Sequence, residues 1–415
     1  MVPSTDSPWR VRDFRALFAA STLSQLATNV TYVAVPLVAV SALDAGPAQV
    51  GVLGTLSTVA FLLIGLPAGA WVDRMRQRGV LVGADLVRGL LFASVPVAWW
   101  LDALTWSQLY AVVLLNGCAT VFFDVGSQTA LPLLVGREPL VRANAALVGL
   151  QAAGNVAGRG LGGGLVQLLT APVAIVCAAG AYLASALGLT ALRPPQQPAS
   201  SAPGLLGSRI AEGVRHVFGN PELRALAATA ALTNLGSQLV NTVLPILFVR
   251  ELGLSAGALG LYWAAGGVGL LLGARCALPL ARRFGPGPVL GLTGAVLAPA
   301  ALLIPLIDNG VRLWIATAGW LLAMAKTGVD NVLGVSIRQH MTPDALLGRM
   351  NATFRCLLTG VLAVGAALSG LLGEVVGVRA TLWVGGAVLA AAFLPVFLSP
   401  VRARRTLPIA EPSWS

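Results

Sequence analysis

Charge is scarce in this chain. Charged residues make up 10% of its 415 positions against 56% hydrophobic ones, with a mean hydropathy of +0.81. That excludes an ordinary soluble domain, in which roughly a quarter of residues are charged. Histidine is nearly absent: His216 and His340 are the two, both in polar stretches where a solvated role is expected. No histidine lies in an apolar run, and no H-E-x-x-H or G-x-S-x-G motif occurs, so an enzyme's nucleophile–base or metal set is missing. Cys118, Cys177, Cys276 and Cys356 lie singly inside apolar runs, without metal spacing or a disulfide framework. They are expected to be small core residues. No cofactor and no metal is implied. Lysine is reduced to Lys326 among 27 basic residues.

What is present is apolar sequence in runs of ~20 residues, each enough to cross a ~30 Å hydrocarbon core. Twelve spans are predicted, at 14–43, 47–72, 79–101, 106–134, 142–169, 171–192, 225–249, 255–281, 287–307, 312–337, 345–374 and 377–398. No cleavable signal is evident before the first, which serves as its own insertion signal. The net charge of +11 does not point to nucleic acid, because the arginines fall in short loops on one side. Predicted outer loops hold only Arg250, Arg312 and Arg379. This asymmetry places both termini in the cytoplasm of a multi-pass membrane protein.

The chain divides into a six-helix half at 1–192, a linker at 193–221, a second half at 222–399 and a tail at 400–415. The linker opens Arg-Pro-Pro-Gln-Gln-Pro and continues as an amphipathic helical pattern over 205–218. Pro36 and Gly51 recur as Pro245 and Gly260 at one constant offset, which pairs Asn29 with Gln238. Two pseudo-symmetric six-helix halves suit alternating access around a midplane site.

Residues 65–79, GLPAGAWVDRMRQRG, follow the second span. The G-x-x-x-D-R spacing with trailing arginines resembles the loop between helices 2 and 3 of the major facilitator superfamily. That resemblance implies an all-α fold of twelve transmembrane helices and a gating hinge at Gly69, Asp73, Arg74, Arg76 and Arg78. Asp73 is then expected to meet the start of helix 11, where Thr342 is read as N-cap. Residues 122–145, 219–235 and 336–355 are similar to a branch exporting drugs and siderophores, including macrolide and enterobactin efflux proteins. The branch implies proton-coupled efflux of a lipophilic or amphipathic small molecule, across the bacterial inner membrane, by a monomer. One departure stands out: in GNVAGRGLGGGL (154–165) Arg159 takes the place of a proline.

An ionisable group inside a bilayer costs a few kcal/mol and is a functional candidate. Asp124, with no nearby cation in sequence, and Asp330 are the candidates for proton coupling. Lys326 and Asp330 are one turn apart, and with Arg355 they form a possible charge cluster. Arg159, Asn29, Asn155, Gln238, Asn241, Trp263 and Trp320 are candidates for substrate binding. The polar residues read equally as interhelical hydrogen-bonding groups. An importer of an anionic molecule, bound by Arg159, and a non-transporting sensor stay open.

Overall fold

The computed structural model describes residues 7–72, 74–135, 140–192 and 206–406. Ten helices among them are long and apolar enough to cross a membrane. In the first half these are α1 (Arg12–Ala42), α2 (Pro47–Val72), α3 (Gln77–Trp100), α4 (Trp106–Val135) and α6 (Ala171–Leu189). In the second they are α7 (Pro221–Ile246), α8 (Ala256–Phe284), α9 (Pro286–Leu297, with a 3-10 continuation Ala298–Leu306), α11 (Asp344–Val375) and α12 (Val378–Ala391, continued by a helical turn Leu394–Phe397). Two further helical runs bring the number to the expected twelve. Residues 140–169 form α5, interrupted by a π-helical turn at Gly154–Gly158. Val311–His340 forms α10, with Lys326 and Asp330 in its middle.

Local signals place the ends. Asn220 caps α7: its side-chain oxygen accepts from the backbone N–H groups of Glu222 and Leu223, and Pro221 opens the helix. Gly285 joins α8 to α9 with φ +89, and a Cβ there would lie 2.8 Å from Arg405 Cα. Pro36 and Pro245 both sit inside their helices, α1 and α7, as the repeat requires.

The chain forms two compact units, Met1–Ala202 with Phe248–Ala264, and Pro203–Leu247 with Ala265–Ser415. In the first, α6 packs on α1 and α3, and α4 packs on α2 and α3. Phe14, Leu17, Leu81, Phe123, Leu131 and Leu189 form one of its cores. In the second, α7 packs against α11 and α12, and α10 lies against the 3-10 stretch after α9. There Leu226, Val289, Leu333, Met350 and Phe354 cluster with Val217. Val217 belongs to the linker helix Leu206–Gly219, which packs on α11.

Three expectations need correction. Cys177 and Cys276 are exposed rather than core residues, and Cys118 and Cys356 are only half-buried. Apolar surroundings in sequence do not separate a lipid-facing side from a protein-facing one. His216 is half-buried in the linker helix, with Nε2 3.3 Å from Thr342 Oγ1, because the helix docks instead of standing in solvent. Thr342 does not cap α11: its hydroxyl donates back to Arg338 O of α10 at 2.7 Å, and Pro343 occupies the N-cap.

Candidate functional site

The first unit contains a buried ion pair that was not among the candidates read from the sequence. Asp85 and Arg88 lie one turn apart on α3, 0% and 2% exposed, with Nη1 3.0 Å from Oδ1. Ser24 Oγ donates to Asp85 Oδ1, and Ser185 Oγ donates to Oδ2 at 2.5 Å. Arg88 donates to Ser24, to Thr28 Oγ1 at 2.7 Å, to Tyr182 Oη at 2.8 Å and to Asn116 Oδ1 at 3.4 Å. Its guanidinium also lies 4.1 Å from the Tyr182 ring centroid. Four helices, α1, α3, α4 and α6, thus meet on one saturated pair. Each charge has its partners in place, which is what a buried pair needs to offset its desolvation.

Asp85 and Arg88 are not among the site residues expected from the sequence. The sequence signal was the i, i+3 spacing of opposite charges inside an apolar run.

Beside this pin, α5 approaches α1 through small residues. A Cβ at Gly158 would stand 2.7 Å from Asn29 Cβ, and one at Gly162 would stand 3.1 Å from Val30 Cα. Asn29 is buried, and its side-chain amide donates to Gln25 O at 2.8 Å. The π-helical turn ends immediately before Arg159 and includes the half-buried Asn155. The distortion that proline usually makes is therefore made here by an extra residue in the turn. The Arg159 guanidinium lies 4.3 Å from the Tyr32 ring centroid, within cation–π range. Its Nε is buried and has no hydrogen-bond partner. Tyr32 stands edge-on to Trp263 at 5.3 Å, and Trp263 is buried.

The same unit holds a tight crossing of α5 and α8. Gly163 and Gly260 face each other: a Cβ on Gly163 would lie 2.8 Å from Gly260 Cα, and one on Gly260 would lie 2.8 Å from Gly163 Cα. Arg250 reaches Asp44 at 2.5 Å beyond the end of α1. Glycine at both positions lets the backbones touch.

In the second unit Lys326 and Asp330 form an ion pair, one turn apart on α10. Lys326 is 3% exposed. Asp330 also lines a cavity of about 120 Å³ between α7, α10 and α11. Arg355 is exposed on α11. Gln238 donates to Thr242 Oγ1 on α7, and Asn241 is half-buried on the same helix. Trp320 is buried on α10, where a Cβ added at Gly266 would meet its indole. A seam of glycines continues: Gly269 and Gly273 of α8 lie against Leu321 O and Ala325 O, and Gly328 of α10 lies against Leu270 O.

Asp124 is half-buried on α4. Of the hinge residues, Arg74, Arg76 and Arg78 are exposed and Gly69 lies in the last turns of α2. Asp73 lies outside the described residues.

The Major Facilitator Superfamily model matches residues 17–325 and 226–414. The enterobactin exporter EntS of Citrobacter koseri is 31% identical over 405 residues, covering 95% of this chain and 94% of that protein. EntS of Escherichia coli O1:K1 is 31% identical over 368 residues, covering 87% and 85%. Among solved structures, the nucleoside transporter NupG is similar with a TM-score of 0.75 at 13% identity, over 93% of this chain and 99% of that one. A bacterial homologue of the lysosomal transporter Spinster, inward-facing and occupied, gives 0.74 at 15% identity, over 95% and 97%. At such identities the two structures share a fold with this chain and no more.

Proposed function

The chain belongs to the major facilitator superfamily and is a membrane transporter, and from that premise we propose that it exports a lipophilic or amphipathic small molecule, such as a siderophore, drug or natural product, by proton-coupled alternating access. The observation that carries this reading is the 31% identity to an enterobactin exporter along 95% of the chain. The protein works as a monomer in the inner membrane with both termini in the cytoplasm, a placement supported by the arginine asymmetry.

The chemistry of the spans supports the reading. Arg159, Tyr32 and Trp263 combine a cation with two aromatic rings in one cluster, a lining suited to an aromatic or anionic group on an amphipathic cargo. Asn29 and Asn155 flank it, and Gln238, Asn241 and Trp320 are the corresponding polar and aromatic groups of the second unit. Asp124 and Asp330 are the groups that carry the proton. Protonation of Asp330 removes the counter-charge of Lys326 and leaves α10 with an unbalanced cation in its middle. A state that gives Lys326 another partner or water is then favoured, and the ligand shifts the balance by its differential affinity for the two states. Asp73, Arg74, Arg76 and Arg78 gate the cytoplasmic side, with Gly69 allowing close helix approach.

The test uses purified transporter in proteoliposomes with an imposed proton gradient, offered siderophores, antibiotics and organic anions. Uphill movement of one of these, with matching proton movement in the opposite direction, is the expected result. Transport that ignores the gradient removes proton coupling. Movement of substrate and protons in the same direction removes export.

A further inference from the structure

We infer that the cavity between α7, α10 and α11 is a binding site for a small monovalent inorganic anion, of which chloride is the readily available example. The argument begins with hydroxyl groups. A threonine in a membrane helix ordinarily donates to the carbonyl one turn back. Thr242, on the same helix α7, donates to Gln238 O, and Thr327, which lines the same cavity from α10, donates to Ala323 O. Thr229 and Thr233 do not. Both are 5% exposed, both line the cavity, and neither hydroxyl has a hydrogen-bond partner. They are one turn apart and so share a face of α7. A buried hydroxyl without a partner costs about 1–3 kcal/mol, so two together call for a ligand.

The opposite wall supplies charge. Lys326, Asp330, Gly334 and Arg338 follow one another at four-residue intervals along one face of α10. Lys326 neutralises Asp330. Arg338 makes no ion pair among the described residues, and its buried Nε has no acceptor. Its guanidinium is held over the Phe354 ring at 4.3 Å, and both residues line the cavity. Gly334 has no side chain to fill the space between Asp330 and Arg338. Asp330 and Arg338 line the cavity, while Lys326, behind the wall, is paired with Asp330; the three together carry one net positive charge, beside the unsatisfied donors of Thr229, Thr233 and Arg338. A cation is disfavoured there, and a monovalent anion supplies both the charge and the acceptor.

Size decides between an anion and a larger guest. A cavity of about 120 Å³ has room for roughly four waters at ~30 Å³ each. Drug-sized ligands occupy pockets of about 300–1,000 Å³. The cavity is smaller than that range and suits a halide with one or two waters. The site shares Asp330 with the transport reading above, but halide binding is measured without a gradient or a transported substrate and stands or falls by itself.

The experiment needs no transported substrate. The melting temperature of the purified full-length protein is measured at constant ionic strength and pH as sodium gluconate is replaced by sodium chloride or bromide. The expected result is a saturable rise of a few degrees with either halide. In Thr229→Val/Thr233→Val, which keeps shape and removes the donors, the rise is lost while the melting temperature in gluconate stays at or above that of the parent. In Arg338→Gln the rise is at least halved. Bromide soaked into crystals gives an anomalous peak beside Thr229 and Thr233. Equal melting temperatures in gluconate and halide overturn the site, as does a halide response that survives in the double threonine variant. A cavity holding water alone gives the first of these outcomes. If the variants do not fold, the bromide peak in the parent protein decides: its absence from the cavity overturns the proposal.

Discussion

Asp85 and Arg88 are joined at 3.0 Å in the interior of the first unit, and every oxygen of the carboxylate accepts a further hydrogen bond from a serine. Saturation of this kind is the mark of a structural pin. Lys326 and Asp330 differ, because Asp330 borders a cavity that the pair leaves open.

Removing one member of the first pair should be costly. Asp85→Leu or Arg88→Leu strands a buried charge, and about 3–5 kcal/mol of stability is expected to be lost. Asp85→Leu/Arg88→Leu should lose less than the sum of the two. Denaturation of the three variants in detergent measures this. Additive losses would mean that the two groups do not act as a pair.

The α5–α8 crossing gives a prediction about transport. Gly163→Ala places a methyl 2.7 Å from Ala256 O, so the helices cannot come together as observed. Transport is expected to fall at least about tenfold, the equivalent of 1.4 kcal/mol in the closing step. Gly164→Ala, whose methyl meets nothing within 4 Å, is the matched control. Equal rates for the two variants would show that the crossing is not a moving contact.

Along α8 and α10 the effect should appear in stability. Gly273→Ala would bring a methyl 1.8 Å from Ala325 O, whereas Gly180→Ala on α6 has open space. Overpacking costs about 1–3 kcal/mol, and only the first variant should show it in a thermal melt. A parent-like melt for Gly273→Ala would rule out a rigid seam.

For coupling, Asp124→Asn and Asp330→Asn are each expected to abolish gradient-driven accumulation, while binding and downhill exchange persist. Substrate binding and uphill transport are read on the same preparation. Full accumulation by either variant removes that carboxylate as an obligatory carrier.

Much of this was legible in the sequence. The apolar runs fall on the helices observed, and the one-turn spacing of Lys326 and Asp330 becomes an ion pair. What stayed hidden was long-range. Ser24, Tyr182 and Ser185 come to Asp85 and Arg88 from distant helices, and no local pattern announces a partner that far along the chain. Gly163 and Gly260 have ordinary helical neighbours, and their pairing exists only once α5 and α8 cross. In a membrane, moreover, the outward and inward faces of a helix are equally apolar, so hydropathy could not say which cysteines are covered.

Those cysteines have a practical consequence. Cys177 sits on α6 in the first compact unit and Cys276 on α8 in the second, and both are exposed, while Cys118 and Cys356 are partly shielded. The chain thus carries one exposed thiol on each of the two compact units, and the proposed alternating access predicts that the distance between the two thiols changes during transport. A pair of spin labels attached through lipid-soluble reagents would read that motion as a change in a single distance distribution, without a substitution elsewhere in the molecule.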